Sequence, residues 1–252
     1  MSKYFISLCF FWSFAIGLAQ SDSLETKPKD TVIIFKQKYG LRVGVDLSRP
    51  VTKWLGTGYS GIELVGDYRF SQKLFLAGEI GREKKTRQED LYNFTTSGSY
   101  IKVGVDYNTY ANWYGEQNSI HVGGRYAFGT FSHTLNSHQI FDSSRYWNPA
   151  DFPLGSIEAE EFNGLNASWL EAVVGVKVEL FANIYLGASA RIGFLVSRKR
   201  PDNFRSLFIP GFNRVTDASS FGVGYNYSLT YFIPLYKKAK KPKKNAVPEP
   251  EE

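Results

Sequence analysis

Residues 221–233 read FGVGYNYSLTYFI. Phe221, Val223, Tyr225, Tyr227, Leu229, Tyr231 and Ile233 fall on one side of an extended chain. Gly222, Gly224, Asn226, Ser228 and Thr230 fall on the other. Successive side chains of a strand point to opposite faces, so this stretch is a strand with one large apolar face and one small, polar face. A soluble strand that buries its apolar face would show large charged groups to water. Small residues opposite large apolar ones suit instead a narrow interior with an apolar exterior.

Seven earlier segments repeat the pattern. Their apolar faces are led by Leu41, Val43 and Val45; Ile62 and Leu64; Leu74, Leu76 and Ile80; Ile101, Val103 and Val105; Ile120, Val122 and Phe128; Leu170, Val174, Val176 and Val178; and Leu186, Ile192 and Phe194. The opposite faces mix glycine with charge: Arg42, Arg69, Lys73, Lys102, Arg125, Lys177 and Arg191 against Asp46, Glu63, Asp67, Glu79, Asp106, Glu171 and Glu179. An unpaired buried charge is costly, so seven cations matched by seven carboxylates are what a closed, ion-paired lumen requires.

The connections alternate. Ser71-Gln72, Phe181 to Asn183 and Asn108 to Asn118 are the shorter ones; Ser48 to Tyr59, Arg82 to Ser99, Thr130 to Trp169 and Ser197 to Ser220 are the longer. Short turns at one end and long loops at the other are the arrangement of outer-membrane barrels. Aromatic residues gather at both strand ends, as membrane interfaces favour. Tyr39, Tyr68, Phe70, Tyr107, Tyr110, Trp113, Tyr114, Phe181 and Tyr231 fall near the short-turn end. Trp54, Tyr59, Tyr100, Phe128, Phe131, Trp169, Phe194 and Phe221 fall near the other.

The ends agree with export. Lys3 precedes an uncharged, mostly apolar run from Tyr4 to Leu18, with Gly17 and Ala19 placed for cleavage before Gln20; residues 1–19 read as a signal peptide. The single cysteine, Cys9, lies inside that run, which leaves no disulfide and no thiolate metal site after cleavage. The net charge of +6 owes much to Lys237, Lys238, Lys240, Lys241, Lys243 and Lys244. Residues 237–252 have little to bury and read as a disordered periplasmic tail, so the basic balance does not signal nucleic acid. A mean hydropathy of −0.27 is ordinary for a barrel, whose two faces average out.

Signal peptide, eight alternating strands, alternating loop lengths and a last strand containing Gly224, Tyr227, Leu229 and Tyr231 together resemble the small OmpA/OmpX-like outer-membrane barrels. The resemblance is nearest to members without an assigned activity. It implies an all-β, antiparallel up-and-down transmembrane barrel of about eight strands in the cell outer membrane. The barrel spans 37–236, after a periplasmic segment over 20–36. Ten strands is the alternative, because Val32 to Phe35 can extend the first strand or add pairing of its own. It also implies a monomer that meets the barrel-assembly machinery during insertion and then outer-membrane lipid and lipopolysaccharide.

No phosphate loop, paired zinc motif or calcium loop is present, and no cofactor is expected. The longest loop holds Phe141, Tyr146, Trp147 and Phe152, the candidate residues for an extracellular ligand. The function expected is non-enzymatic: envelope structure, or binding through the outer loops. The alternative is an outer-leaflet lipid hydrolase or acyltransferase that pairs Ser132 or Ser137 with His133 or His138, with Asp142 or Asp151 as the orienting acid. Continued alternation turns Ser132 and His138 toward lipid and His133 and Ser137 inward, which splits each adjacent pair. His121 is expected in the lumen.

Overall fold

The computed structural model describes residues 36–56, 58–88, 92–110, 117–138, 160–199, 208–214 and 220–239. The signal peptide, the loop aromatics Phe141, Tyr146, Trp147 and Phe152, and most of the tail lie outside these residues.

Eight long strands form a closed antiparallel ring: β1 (Lys36–Asp46), β2 (Tyr59–Arg69), β3 (Leu74–Gln88), β4 (Tyr92–Asn108), β5 (Ser119–His138), β6 (Glu160–Phe181), β7 (Ile184–Arg198) and β10 (Phe221–Ala239). Each pairs with its sequence neighbours. β10 closes the ring against β1, with Val43 opposite Tyr231 on one side and Gly66 on the other. Closure satisfies every edge, the condition for strands to cross lipid. A short helix, α1 (Ser48–Trp54), links β1 to β2, and a two-stranded hairpin, β8 (Phe208–Ile209) and β9 (Asn213–Arg214), lies between β7 and β10.

Burial identifies the exterior. Val103 is 52% exposed, while its neighbour Lys102 is 1% exposed. The same inversion holds around the ring: Leu76, Ile80, Val105, Val122, Val174, Val176, Ile192 and Val223 are exposed, and Glu63, Asp67, Asp106 and Arg125 are buried. An apolar belt of this extent facing outward is a lipid-facing surface. No described helix is long and apolar enough to span a membrane, so the strands make the crossing. The short turns and both described chain ends lie together, at what is the periplasmic end in this architecture.

Four strands outgrow the belt. The outermost apolar exterior residues are Ile80, Ile101, Phe128 and Leu170. Beyond them the exterior becomes Arg82 and Lys84, Ser99 and Ser97, Thr130 and Thr134, and Ser168 and Asn166. Over the same stretch the interior becomes apolar, with Tyr100, Phe131, Leu165 and Trp169 in one cluster and Phe94 and Leu135 in another. β3 to β6 therefore rise beyond the membrane as a wall roughly 25 Å tall along the strand. Arg82 to Ser99, read from sequence as a loop, is mostly strand, with only residues 89–91 between β3 and β4. Much of Thr130 to Trp169 is strand too, since β5 runs to His138 and β6 starts at Glu160. The apolar alternation ends at the membrane surface, but the backbone pairing continues.

The aromatic belts are correspondingly thinner than expected. Phe70, Tyr107, Phe181 and Tyr231 at one end, and Trp54, Phe128, Phe194 and Phe221 at the other, are exposed. Tyr39, Tyr59, Tyr100, Phe131 and Trp169 are buried inside. Nearness to a strand end does not decide which face a residue occupies.

Val103→Arg, in the middle of the belt, is expected to cost about 2–4 kcal/mol. Ser99→Arg, just above the belt, is expected to cost less than about 1 kcal/mol. Urea unfolding of the two variants from lipid vesicles checks where the membrane boundary lies.

Candidate functional site

Among the described residues, side chains occupy the lumen in successive layers. At the periplasmic end the Arg42 guanidinium lies over the rings of Phe75 (4.8 Å) and Tyr185 (5.4 Å). Arg69 covers Tyr39 at 4.8 Å and donates to the carbonyl of Lys38 at 3.1 Å and to Gln37 Oε1 at 3.0 Å. Arg69 thus meets carbonyls and rings in place of a carboxylate. Lys73, assigned to the lumen from sequence, is exposed in the β2–β3 turn, where it donates to the Tyr107 hydroxyl at 3.4 Å. The turn residues Phe70 to Lys73 break the alternation that the assignment relied on.

Above this layer the charges pair. Asp67 accepts from Arg42 Nε at 2.6 Å and from Lys177 Nζ at 2.5 Å. Arg125 holds Asp106 with two bonds of 2.7 and 2.8 Å. Arg191 holds Glu79, and Lys102 lies 2.8 Å from Glu171. A cavity of about 30 Å³ lies among Asp67, Glu79, His121, Arg125, Lys177 and Arg191, room for a couple of water molecules. His121 is buried at this level, as its alternation implies. The crowding explains Gly104: a Cβ there would stand 1.9 Å from the Gly124 carbonyl oxygen and 2.7 Å from the Arg125 side chain.

The extracellular half uses residues that the loop assignments had hidden. Arg49 reaches in from α1 to Glu63 and Glu83, both at 3.0 Å, and to Asp46 at 3.3 Å. The Tyr100 hydroxyl donates to Glu63 and, at 3.0 Å, to Glu83. Glu83 was legible, since it continues the parity of Glu79 along β3; Arg49 carried no sequence signal. Among the described residues, Arg42, Arg49, Lys102, Arg125, Lys177 and Arg191 make ion pairs with Asp46, Glu63, Asp67, Glu79, Glu83, Asp106 and Glu171. Lys73 leaves the expected set and Arg49 and Glu83 join it. Glu179 sits lower, accepting from the Tyr185 hydroxyl at 3.0 Å.

The β8–β9 hairpin closes the top. Ile209 and Phe212 are buried against Tyr100 and Trp169, with the Phe212 ring edge-on to Trp169 at 5.7 Å. Gly211 is bonded at both ends: its N–H donates to Glu83 at 3.1 Å, and its carbonyl accepts from Lys102 Nζ at 3.1 Å. Its φ of +80° and the Tyr100 ring 2.6 Å from any Cβ leave room for glycine alone.

The Ser-His candidates do not assemble. Ser132 is on the outer side of the wall. The buried His133 faces inward, with Nδ1 2.6 Å from the Thr96 hydroxyl. Ser137 was expected inward and is exposed, because a bulge at Asn136 between β4 and β5 shifts the alternation. The His138 side chain, Asp142 and Asp151 lie outside the described residues. His133 stands on the wall above the belt, and burial lowers its pKa to about 4.

Residues 1–238 match a family described as Domain of unknown function (DUF6048). The chain belongs to the DUF6048 family. No curated protein matches it. Among solved structures the DUF6048 barrel is similar to Ail, the attachment invasion locus protein of Yersinia pestis, at 10% identity and a TM-score of 0.39, covering 79% of this chain and 99% of that one. It is similar to a major outer membrane protein from Thermus thermophilus at 12% identity and a TM-score of 0.40, covering 78% and 98%. A third is Acinetobacter baumannii CarO2, at 11% identity and 0.36, covering 79% and 99%. From its own closed ring and apolar exterior, the DUF6048 chain is an outer-membrane barrel.

Arg125→Ala leaves Asp106 buried without its partner and is expected to cost about 3–5 kcal/mol in chemical unfolding, whereas replacing both by apolar residues of similar volume is expected to restore most of the loss. A second outcome concerns pH. The folded pKa of His133 lies below the unfolded value, so the stability from its neutral ring is complete above about 6.5 and is lost as pH falls toward 4. Amide exchange around Thr96 and His133 is expected to accelerate over that window, and His133→Gln is expected to flatten the response.

Proposed function

We propose that this protein is a non-enzymatic outer-membrane barrel with no general solute pathway, which presents its extracellular wall and the loops above it for binding or to stiffen the envelope. The observation that supports this most is the filled lumen. Rings close the periplasmic end, ion pairs fill the middle and the β8–β9 hairpin fills the top, with about 30 Å³ left among the charges. An eight-stranded ring is only wide enough to be filled by side chains. Four strands project beyond the lipid with a polar outer face, and binding is assigned to that wall and to the connection between β5 and β6, whose sequence carries Phe141, Tyr146, Trp147 and Phe152. Insertion by the barrel-assembly machinery and contact with lipopolysaccharide in the outer leaflet are part of the same proposal.

Planar bilayers containing the purified protein are expected to show no steady large conductance; sustained currents would overturn the closed-lumen reading. Replacing residues 140–158 with a short Gly-Ser linker is expected to leave the barrel resistant to unfolding in electrophoresis. The same replacement is expected to remove whatever partner the intact protein captures when cross-linked on cells. Loss of folding in that variant would make the segment structural and remove the support for binding.

A further inference from the structure

β1 and β10 continue past the lipid belt on the periplasmic side as a two-stranded ribbon. Lys38 lies directly opposite Lys237, and Gln37 opposite Lys238, with Lys36 opposite Ala239 at the end. Lys36, Lys38, Lys237 and Lys238 are all exposed, and no ion pair among the described residues uses them. Like charges directly across an antiparallel pair repel. The buried cations Arg42, Lys102, Arg125 and Arg191 each face a carboxylate on another strand, whereas these four exposed lysines face one another and solvent.

The depth of the ribbon says where that anion lies. Immediately on the membrane side are Tyr39 and Tyr236, stacked at 5.4 Å, with the Tyr68 and Tyr236 hydroxyls 3.5 Å apart. Arg69 covers the other part of this aromatic group from inside, and Lys238 Nζ lies 5.9 Å from the Tyr39 ring. On their membrane side Ile233 and Leu235 are exposed to lipid. Tyr39 is buried, but Tyr236 is exposed, and an exposed tyrosine at the edge of the apolar layer is the usual interfacial arrangement. The lysines are one step further out, at the depth of phosphodiesters, and their long stems can reach back to them. The surface is continuous with the lipid-facing belt and opposite in charge to an anionic headgroup.

We propose that Lys36, Lys38, Lys237 and Lys238 form a binding surface for anionic phospholipid headgroups of the periplasmic leaflet, anchoring the closing seam of the barrel. Phosphates bridging Lys36 and Lys38 of β1 to Lys237 and Lys238 of β10 hold together the two strands whose pairing joins the chain's two ends into a ring. This surface is independent of the extracellular reading above.

Native mass spectrometry of the full-length protein in detergent, titrated with equal amounts of phosphatidylglycerol and phosphatidylcholine, tests it. The native protein is expected to retain phosphatidylglycerol preferentially. K36Q/K38Q/K237Q/K238Q is expected to lose that preference, by about fivefold for each lysine engaged. K38R/K237R is expected to keep it, and so is K240Q/K241Q/K243Q/K244Q, which neutralises the lysines beyond the ribbon. If the quadruple ribbon variant does not fold, the single variant K237Q carries the same expectation at about one fivefold step. Retention unchanged in the ribbon variants, loss in the 240–244 variant, or no preference in the native protein would each overturn the assignment. Displacement of the lipid by millimolar inorganic phosphate would identify a free-anion site and overturn the lipid source.

Discussion

Asp67, held between Arg42 and Lys177, shows in one place the constraint that governs the whole molecule: charge inside a ring too narrow for bulk water must find polar partners, mostly opposite charge, on another element. Arg42 comes from β1, Asp67 from β2 and Lys177 from β6, so this single carboxylate ties strands from across the ring. Glu79 of β3 and Arg191 of β7 do the same. Pairing of this kind specifies the ring as much as it stabilises it. A shift of register by one residue would turn a whole row of charges into lipid and a row of valines inward.

The polarity of the sheet inverts at the extracellular membrane surface. Within the lipid, β3 to β6 carry apolar residues outside and charge inside. Above it they carry serine, threonine, arginine and lysine outside, and Phe94, Phe131, Leu135 and Leu165 inside. The same four strands are thus a membrane wall below and a water-soluble sheet above. Tyr100 and Trp169 mark the change: their rings join the apolar cluster, while the Tyr100 hydroxyl and the Trp169 Nε1 bond downward to Glu63 and, at 2.6 Å, to Glu171. The apolar interior of the wall is what the β8–β9 hairpin can pack on, so the plug exists because the inversion exists.

How far the molecule was legible follows from that inversion. Alternation located all eight strands inside the lipid, where one face is consistently apolar. It gave out at Arg82, Ser99, Thr130 and Ser168, where the exterior became polar while the interior pattern ran on in the other sense. Following Glu79, Gly81 and Glu83, or Phe131, His133 and Leu135, would have extended the strands. The bulges at Asn136 and near Gly164 would still have defeated any strict count, because an extra residue flips every side chain beyond it.

The sequence by itself determined the class of architecture, because a period of two with glycine and balanced charge on one face and large apolar groups on the other has a stable solution only as a closed ring in lipid. It also determined most members of the buried charge set, because parity along a strand is a local property. Tertiary structure decided which charge meets which, since partners such as Lys177 and Asp67 are 110 residues apart and are joined only by ring closure. It decided as well that Arg49 and Gly211 enter the lumen. Both come from connections with no periodicity, and only the packing of a helix and a hairpin onto the finished ring fixes where they point.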